Sequence, residues 1–439
     1  MISYREILKV VWPLALGMVN NAVMQFVDRA YLANESMEAL EAILPASMLS
    51  WIFLGFAQSI VGYSGVFVAQ YHGAGDSEKC AASYYAALII AVSFGLLMLP
   101  LIPFGRMVFS FTAASSQLCE MEYSYYGIIM AGGFFACAQV AAASYFTGIG
   151  SPAIVFWVNL IGNLVNIAID PLLIFGYCGF PALGIEGAAY ATVFSMALQW
   201  IVLFVAVRRK LGKSSSPWEM MPGILKFGIP AGAYSVLNVL SFSIFVFVTG
   251  AIGAVEFAVS NACFAVNYLI FAPMEGFALG AQTLVGQARG RGDDAGAMTV
   301  LRRTLVVTLL FVAFSGLAIL VFHRQVLSLF SPGDERASVF YSLGFVLIAL
   351  MVVQQLFDAV DVVLSGALKG AGDTRFVMWW MLFCAFGLWL PMVFAVRMLH
   401  NTMPFLWGTM VAYTLIICAG SLVRWKRGYW RRITVVERR

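Results

Sequence analysis

The stretch "FVAQYHGAGD" at residues 67–76 returns as "LVGQARGRGD" at 284–293, with an offset of 217. Each copy closes a long apolar run. Pro13 in "VWPLALG" returns at the same offset as Pro230 in "FGIPAGA", and "FTGIGSP" (146–152) returns as "LKGAGDT" (368–374) with an offset of 222. The chain is therefore two copies of one unit. They are joined through the basic, Ser-rich "RRKLGKSSSPWE", and the expected halves are residues 1–213 and 214–439.

Composition states what each copy contains. Of 439 residues, 62% are hydrophobic and 11% charged, and the mean hydropathy is +0.88. Soluble domains carry about 25% charged residues, and so low a charge cannot cover a soluble surface. A bilayer crossing takes about 20 apolar residues. Apolar runs between Gly, Pro and charge breaks place twelve helices over 8–33, 39–70, 81–104, 123–147, 153–176, 184–207, 222–250, 256–287, 299–322, 337–367, 376–397 and 402–424. The expected fold is an all-α polytopic membrane protein with six helices per half. The opening "MISYREILKVVWPLALG" runs on to about Leu32 without a small-residue cleavage site, and reads as a retained first helix.

Basic residues sort to one side of these spans. Arg5, Lys9, Lys79, Arg208, Arg209, Lys210, Lys213, Lys226, Arg289, Arg291, Arg302, Arg303, Lys369, Arg375 and the tail "RWKRGYWRRITVVERR" share it, whereas Arg29, Arg106, Arg324, Arg336 and Arg397 mark the other. The positive-inside rule then predicts a multi-pass protein of the plasma (bacterial inner) membrane with both termini cytoplasmic. The loop "NESMEALE" and Glu120, Glu122, Asp334 and Glu335 face out. Because six is even, both halves share one orientation, related by an axis along the membrane normal.

Against this apolar background the acids stand out. In helix 1, Asn21, Gln25 and Asp28 fall at i, i+4 and i+7. In helix 5, Asn159, Asn163, Asn166 and Asp170 share a face, and in helix 10 Gln354, Asp358, Asp361 and Ser365 do the same. Lipid cannot satisfy such stripes, so they face a bundle interior or a wet cavity. The repeat sharpens this: Asp28 corresponds to Phe245, Glu275 to Gln58, Asp358 to Ala136, and Asp170 falls near Met392. The acids are additions to a shared apolar scaffold. Helices 1 and 5 both run outward, and Asp28 and Asp170 lie at similar depth. Two carboxylates at one depth with amide neighbours suit a hard cation or a shared proton. A structural hydrogen bond between helices is the competing reading of each acid, and it weighs most on Asp361. Glu35, Glu38, Glu41, Glu186 and Glu256 read as solvated loop or helix-end charges, and Asn159 and Asn163 as packing residues.

Several features exclude other functions. The seven cysteines form no CxxC pair and sit mostly in apolar runs, so no structural metal is expected. Cys119 and Cys178 fall in loops placed outside and are read as free thiols, with a bridge as the alternative. "GKSS" (212–215) lacks the glycine of a phosphate loop, having Val207 there. "RGD" (291–293) follows the cytoplasmic repeat, and His72, His323 and His400 are isolated. The chain is not expected to be an enzyme, to hold a cofactor or to bind nucleic acid.

Proline in helices 1 and 7, "VAQ/VGQ…G.GD" ending helices 2 and 8, "VDRAYLA" late in helix 1, "NLVNIAIDPLLIFG" in helix 5, "GAAYAT" opening helix 6 and "LFDAVDVVLSGALKGAGDT" through helix 10 occur together, in order and over the whole chain. In this the chain resembles the multidrug and toxic compound extrusion (MATE) transporters. The resemblance implies two pseudo-symmetric six-helix lobes around a central cleft. It also implies an N-lobe cation site of Asp28, Asn166, Asp170 and Thr192. Asp358 matches the helix-10 aspartate, but Asn238 stands where some members carry a helix-7 glutamate. Glu275, with Asp361 nearby, is the candidate replacement charge for a C-lobe cation or substrate site. Arg29 departs from the small polar residue usual after the helix-1 aspartate; an adjacent helical residue points about 100° away and is free to snorkel outward. Asn21, Gln25, Tyr31, Phe56, Tyr63, Tyr145, Tyr234, Phe264 and Tyr268 are candidates to line a cleft, the aromatics by stacking on organic cations.

The implied function is a monomeric secondary antiporter coupled to H⁺ or Na⁺, in contact with membrane lipid, that exports amphipathic, often cationic small molecules. A flippase of lipid-linked oligosaccharides shares the architecture, but its cavity should be cationic and this interior is acid-biased. A non-transporting sensor or scaffold should carry soluble domains, which these short loops do not supply.

Overall fold

A computed structural model describes residues 3–112, 115–330 and 337–436. Asp334, Glu335 and Arg336, assigned above to the outer face and its edge, lie outside the described residues, as do the last three residues of the tail. Every regular element among the described residues is helical.

Among the described residues eleven helices are long and apolar enough to cross a membrane. They are helix 1 (Tyr4–Glu35), 2 (Met37–Gly73), 3 (Ser77–Phe111), 5 (Pro152–Ile174), 6 (Ile185–Lys210), 7 (Met221–Gly250), 8 (Ala254–Gly290), 9 (Asp294–Val321), 10 (Ala337–Gly370), 11 (Thr374–Leu399) and 12 (Met403–Lys426). Helix 4 is a pair, Ser116–Ala131 and Gly133–Gly148, bent by 46°, and makes the twelfth span expected from sequence. Its break falls at Gly132 and Gly133, which weaken a helix by their backbone freedom. Side chains there would meet Val193 of helix 6 and Met98 of helix 3. Helix 11 holds a wide turn over Phe383–Trp389, of the i→i+5 type that bulges a helix.

The repeat that opened the reading is a structural repeat. Gly75 and Gly292 end helices 2 and 8 in the left-handed region, at φ +78° and +74°. Asp76 and Asp293 then cap the following helices, accepting from the Lys79 amide at 3.0 Å and the Gly296 amide at 2.7 Å. The second repeat pair also turns alike, with the Ser151 amide donating to Phe146 O and the Asp373 amide to Leu368 O, both at 2.8 Å.

The residues cluster into two compact units. One comprises Leu16–Ala233, Gly286–Gly292 and the described residues from Val435; the other comprises the described residues to Ala15, Tyr234–Val285 and Asp293–Thr434. The first unit packs alanine against alanine, with Ala82, Ala86 and Ala87 of helix 3 and Ala138, Ala141 and Ala142 of helix 4 all fully buried. Small residues let membrane helices approach closely. Within this unit Gly73 lies on the backbone of Gln287, and Gly290 on that of Gln70, with no space for a Cβ. The second unit is built on aromatics. Trp407 stacks on Phe264 at 4.8 Å and donates to Ser260 Oγ at 3.0 Å, while Trp389 lies against Phe245 and donates to Thr409 Oγ1 at 3.2 Å. The basic tail folds onto helix 12: Trp430 is fully buried, its ring 4.4 Å from that of Trp425, and Arg424 grips Asp373 through two nitrogens at 2.7 and 3.3 Å. All seven cysteines are free thiols, Cys119 and Cys178 included.

Candidate functional site

The C-terminal parts of helices 1 and 5 and the N-terminal part of helix 6 bring Asp28, Asn166, Asp170 and Thr192 together. Asp170 and Asn166 are fully buried, Thr192 nearly so, and Asp28 partly. The carboxyl groups of Asp28 and Asp170 lie within hydrogen-bond reach of each other. Asn166 orders the pair: oriented to avoid oxygen facing oxygen, its Nδ2 donates to Asp28 Oδ1 at 3.1 Å and its Oδ1 accepts from the Thr192 amide at 3.3 Å. No N–H or O–H of the described residues donates to either oxygen of Asp170. Two carboxyl groups in contact, one of them without a donor, hold charge stably only with one added positive charge between them. A proton or a small hard cation meets that need.

The stripe below continues as an amide ladder. Asn163 Nδ2 donates to Asn21 Oδ1 at 3.0 Å, Gln199 Nε2 to Asn163 Oδ1 at 3.2 Å, and Gln139 Nε2 to Asn159 Oδ1 at 3.0 Å. Ser195 Oγ donates to Gly162 O at 2.6 Å. Asn159 and Asn163 thus spend their polar atoms on each other's neighbours. Gln25 lies half-buried on the same stretch of helix 1. Arg29 is exposed; its charge bears on Asp28 and on Tyr125, and among the described residues it forms no ion pair with Asp170.

A second acidic group forms in the other unit. Asp361 is nearly buried and accepts from Ser421 Oγ at 2.7 Å, with Ser365 one turn further on. Asp358 stands beside Asp361 and Glu275, and Tyr234 lies one turn before the exposed Asn238 on helix 7. Among the described residues no three His, Cys, Asp or Glu side chains are arranged to hold a metal ion.

The MatE family model matches residues 13–172 and 230–395, three quarters of the chain in two copies that coincide with the repeat. The chain belongs to the MatE family. MatE proteins are transporters, not enzymes. The chain is 25% identical over 448 aligned positions, 99% of this chain and 95% of the relative, to a Thermotoga maritima protein named probable multidrug resistance protein NorM. It is 22% identical to the multidrug resistance protein NorM of Photobacterium profundum, covering 86% of this chain and 85% of that one. In fold it is similar to a MATE crystallised in complex with MaD5, with a TM-score of 0.87, 17% identity, and coverage of 99% and 98%. It is equally similar to an outward-facing multidrug resistance MATE transporter, with a TM-score of 0.87, 18% identity, and coverage of 98% and 97%.

On this MatE frame the aromatic candidates divide. Tyr63 is stacked on Phe227 at 6.1 Å, Tyr145 packs beside Tyr84 at 5.8 Å, and both are buried. Phe264 belongs to the Trp407 stack. Tyr31, set edge-on to Phe175, and Phe56, beside Phe94, are half-buried, and Tyr268 is exposed. Sequence reasoning passed over Gln139, Ser195 and Gln199, which come from helices 4 and 6. Their signal was present, since a glutamine inside an apolar helix needs a partner. They form no stripe of their own, and the ladder exists only when three helices meet.

Proposed function

We propose that the protein is a cation-coupled secondary antiporter of the plasma membrane, with both termini cytoplasmic. It exports amphipathic, often cationic small molecules, with Asp28, Asn166, Asp170 and Thr192 as its coupling-ion site. The observation that supports this is the meeting of Asp28 with the donorless Asp170 inside an apolar unit. Burying such a pair uncompensated is costly, and a travelling H⁺ or Na⁺ offsets that cost once per cycle. Cation entry from outside neutralises the facing carboxyl groups, helix 1 shifts or bends near the site, and the substrate leaves outward. Return of the cation to the cytoplasm resets the cycle, and alternate opening to the two faces follows the general pattern of secondary transporters. The multidrug resistance names of the relatives agree with such a substrate class.

Neutralising either acid should abolish ethidium resistance in an efflux-deficient host while membrane levels stay normal. Wild-type resistance from the Asp28→Asn/Asp170→Asn double variant would sink the mechanism. Dye efflux from proteoliposomes under a pH gradient and a Na⁺ gradient, imposed separately, identifies the ion.

A further inference from the structure

Helix 10 carries Asp358, Asp361, Ser365 and Lys369 at i, i+3, i+7 and i+11, one continuous face. Counting charges by loop assigns Lys369 to the cytoplasm. Helical side chains lean back toward the helix N-terminus, however, and the Lys369 stem carries its ammonium onto Tyr234 of helix 7, 4.0 Å from the ring centroid. Glu275 and Asp361 both act on this ammonium, and Asp358 adjoins them. Tyr413 stands beside Tyr234 and the two aspartates. An aromatic face backed by carboxylates is how proteins recognise organic ammonium ions, and here the ammonium belongs to the chain. Three carboxyl groups thus surround one ammonium. The repeat mate of Lys369 is Thr147, whose hydroxyl is spent on Ala143 O at 2.9 Å, so the arrangement exists in one half only.

We propose that Lys369 is a tethered competitor. Its ammonium occupies the cation seat on Tyr234, and a cationic ligand binds there only by displacing it, so Lys369 sets the affinity and charge selectivity of that seat. The proposal rests on the reading of the protein as an exporter of cationic amphipaths, and names the residue that tunes which of them enter.

The test uses the purified full-length protein and two ions of one shape and opposite charge, tetraphenylphosphonium and tetraphenylborate. Lys369→Met and Lys369→Gln should each bind tetraphenylphosphonium roughly tenfold more tightly than wild type, the size of one lost competing contact. Tetraphenylborate should gain nothing. Tyr234→Leu added to Lys369→Met should cancel the gain. Unchanged or weaker tetraphenylphosphonium binding in a folded variant overturns the proposal. Equal tightening of both ions also overturns it, since that reports loosened packing. If both variants fail to fold, the wild type decides: tetraphenylphosphonium should speed reductive methylation of Lys369, read by mass spectrometry, and an unchanged rate overturns the proposal. Efflux of tetraphenylphosphonium from cells by the wild type is measured separately. Its absence alongside Lys369 displacement removes the exporter reading and leaves the competitor standing.

Discussion

Gly290 lies against the backbone carbonyl of Gln70 with no room for a methyl group, and Gly73 lies against Gln287 in the same way. The two pairs are repeat mates, so one crowded contact occurs twice within a single unit. Overpacking a close contact costs about 1–3 kcal/mol. Gly73→Ala and Gly290→Ala should therefore each lower the melting temperature of the purified protein, whereas Gly408→Ala, where nothing lies nearby, should not.

The Asn166 side chain joins Asp28 to the Thr192 backbone, its only bonds among the described residues. A hydrogen bond to a charged group contributes about 1.5–3 kcal/mol. Asn166→Ala should slow ion-driven ethidium efflux by about tenfold or more and shift the ion dependence of the rate, with membrane levels unchanged. An unaltered ion-dependence curve would remove Asn166 from the site.

The amide ladder predicts the opposite division of effects. Gln199 fills the space beside Gly162 and ties helix 6 to helix 5. Interhelical side-chain bonds in membranes average about 0.6 kcal/mol. Gln199→Ala should cost stability, read as a lower melting temperature, while its ion dependence of efflux stays that of the wild type.

At the end of helix 12, Arg424 bonds both oxygens of Asp373 and lies between the rings of Phe376 and Tyr429. A planar guanidinium holds two carboxylate oxygens while lying flat on the rings, a combination that the single point charge of a lysine ammonium does not reproduce. Arg424→Lys should destabilise the protein nearly as much as Arg424→Ala in thermal denaturation. Trp430→Ala should cost more than either, about 3–5 kcal/mol for emptying a fully buried indole site.

Much of this was legible in the sequence because one-dimensional periodicity carries it. The twelve spans follow from apolar run length. The duplicated "GAGD" and "GRGD" turns mark where helices stop, and the equal depth of Asp28 and Asp170 follows from their distance to the helix ends. The repeat comparison also held physically, for Phe245 and Ala136, the mates of Asp28 and Asp358, are core residues. Features that depend on which helices touch were not legible. Gln139 and Gln199 look like isolated polar residues until helices 4, 5 and 6 meet. Lys369 sits in the last turn of helix 10, and only its side-chain direction brings it to the acids. Trp430 lies in a tail whose basic composition suggests solvent, yet its ring is buried on Trp425.

Helices 1 and 7 each divide between the two units, at Ala15 and at Ala233. The first turns of helix 1 pack through Val11 and Ala15 on Gly280 and Gly276 of helix 8, and the matching turns of helix 7 pack through Gly228 and Gly232 on Ile60 and Phe56 of helix 2. Neither half of the chain therefore holds a complete core by itself. Cut between the repeats, helices 1–6 would lose the turns of helix 7 that cover Ile60 and Phe56, and helices 7–12 the turns of helix 1 that cover Gly276 and Gly280.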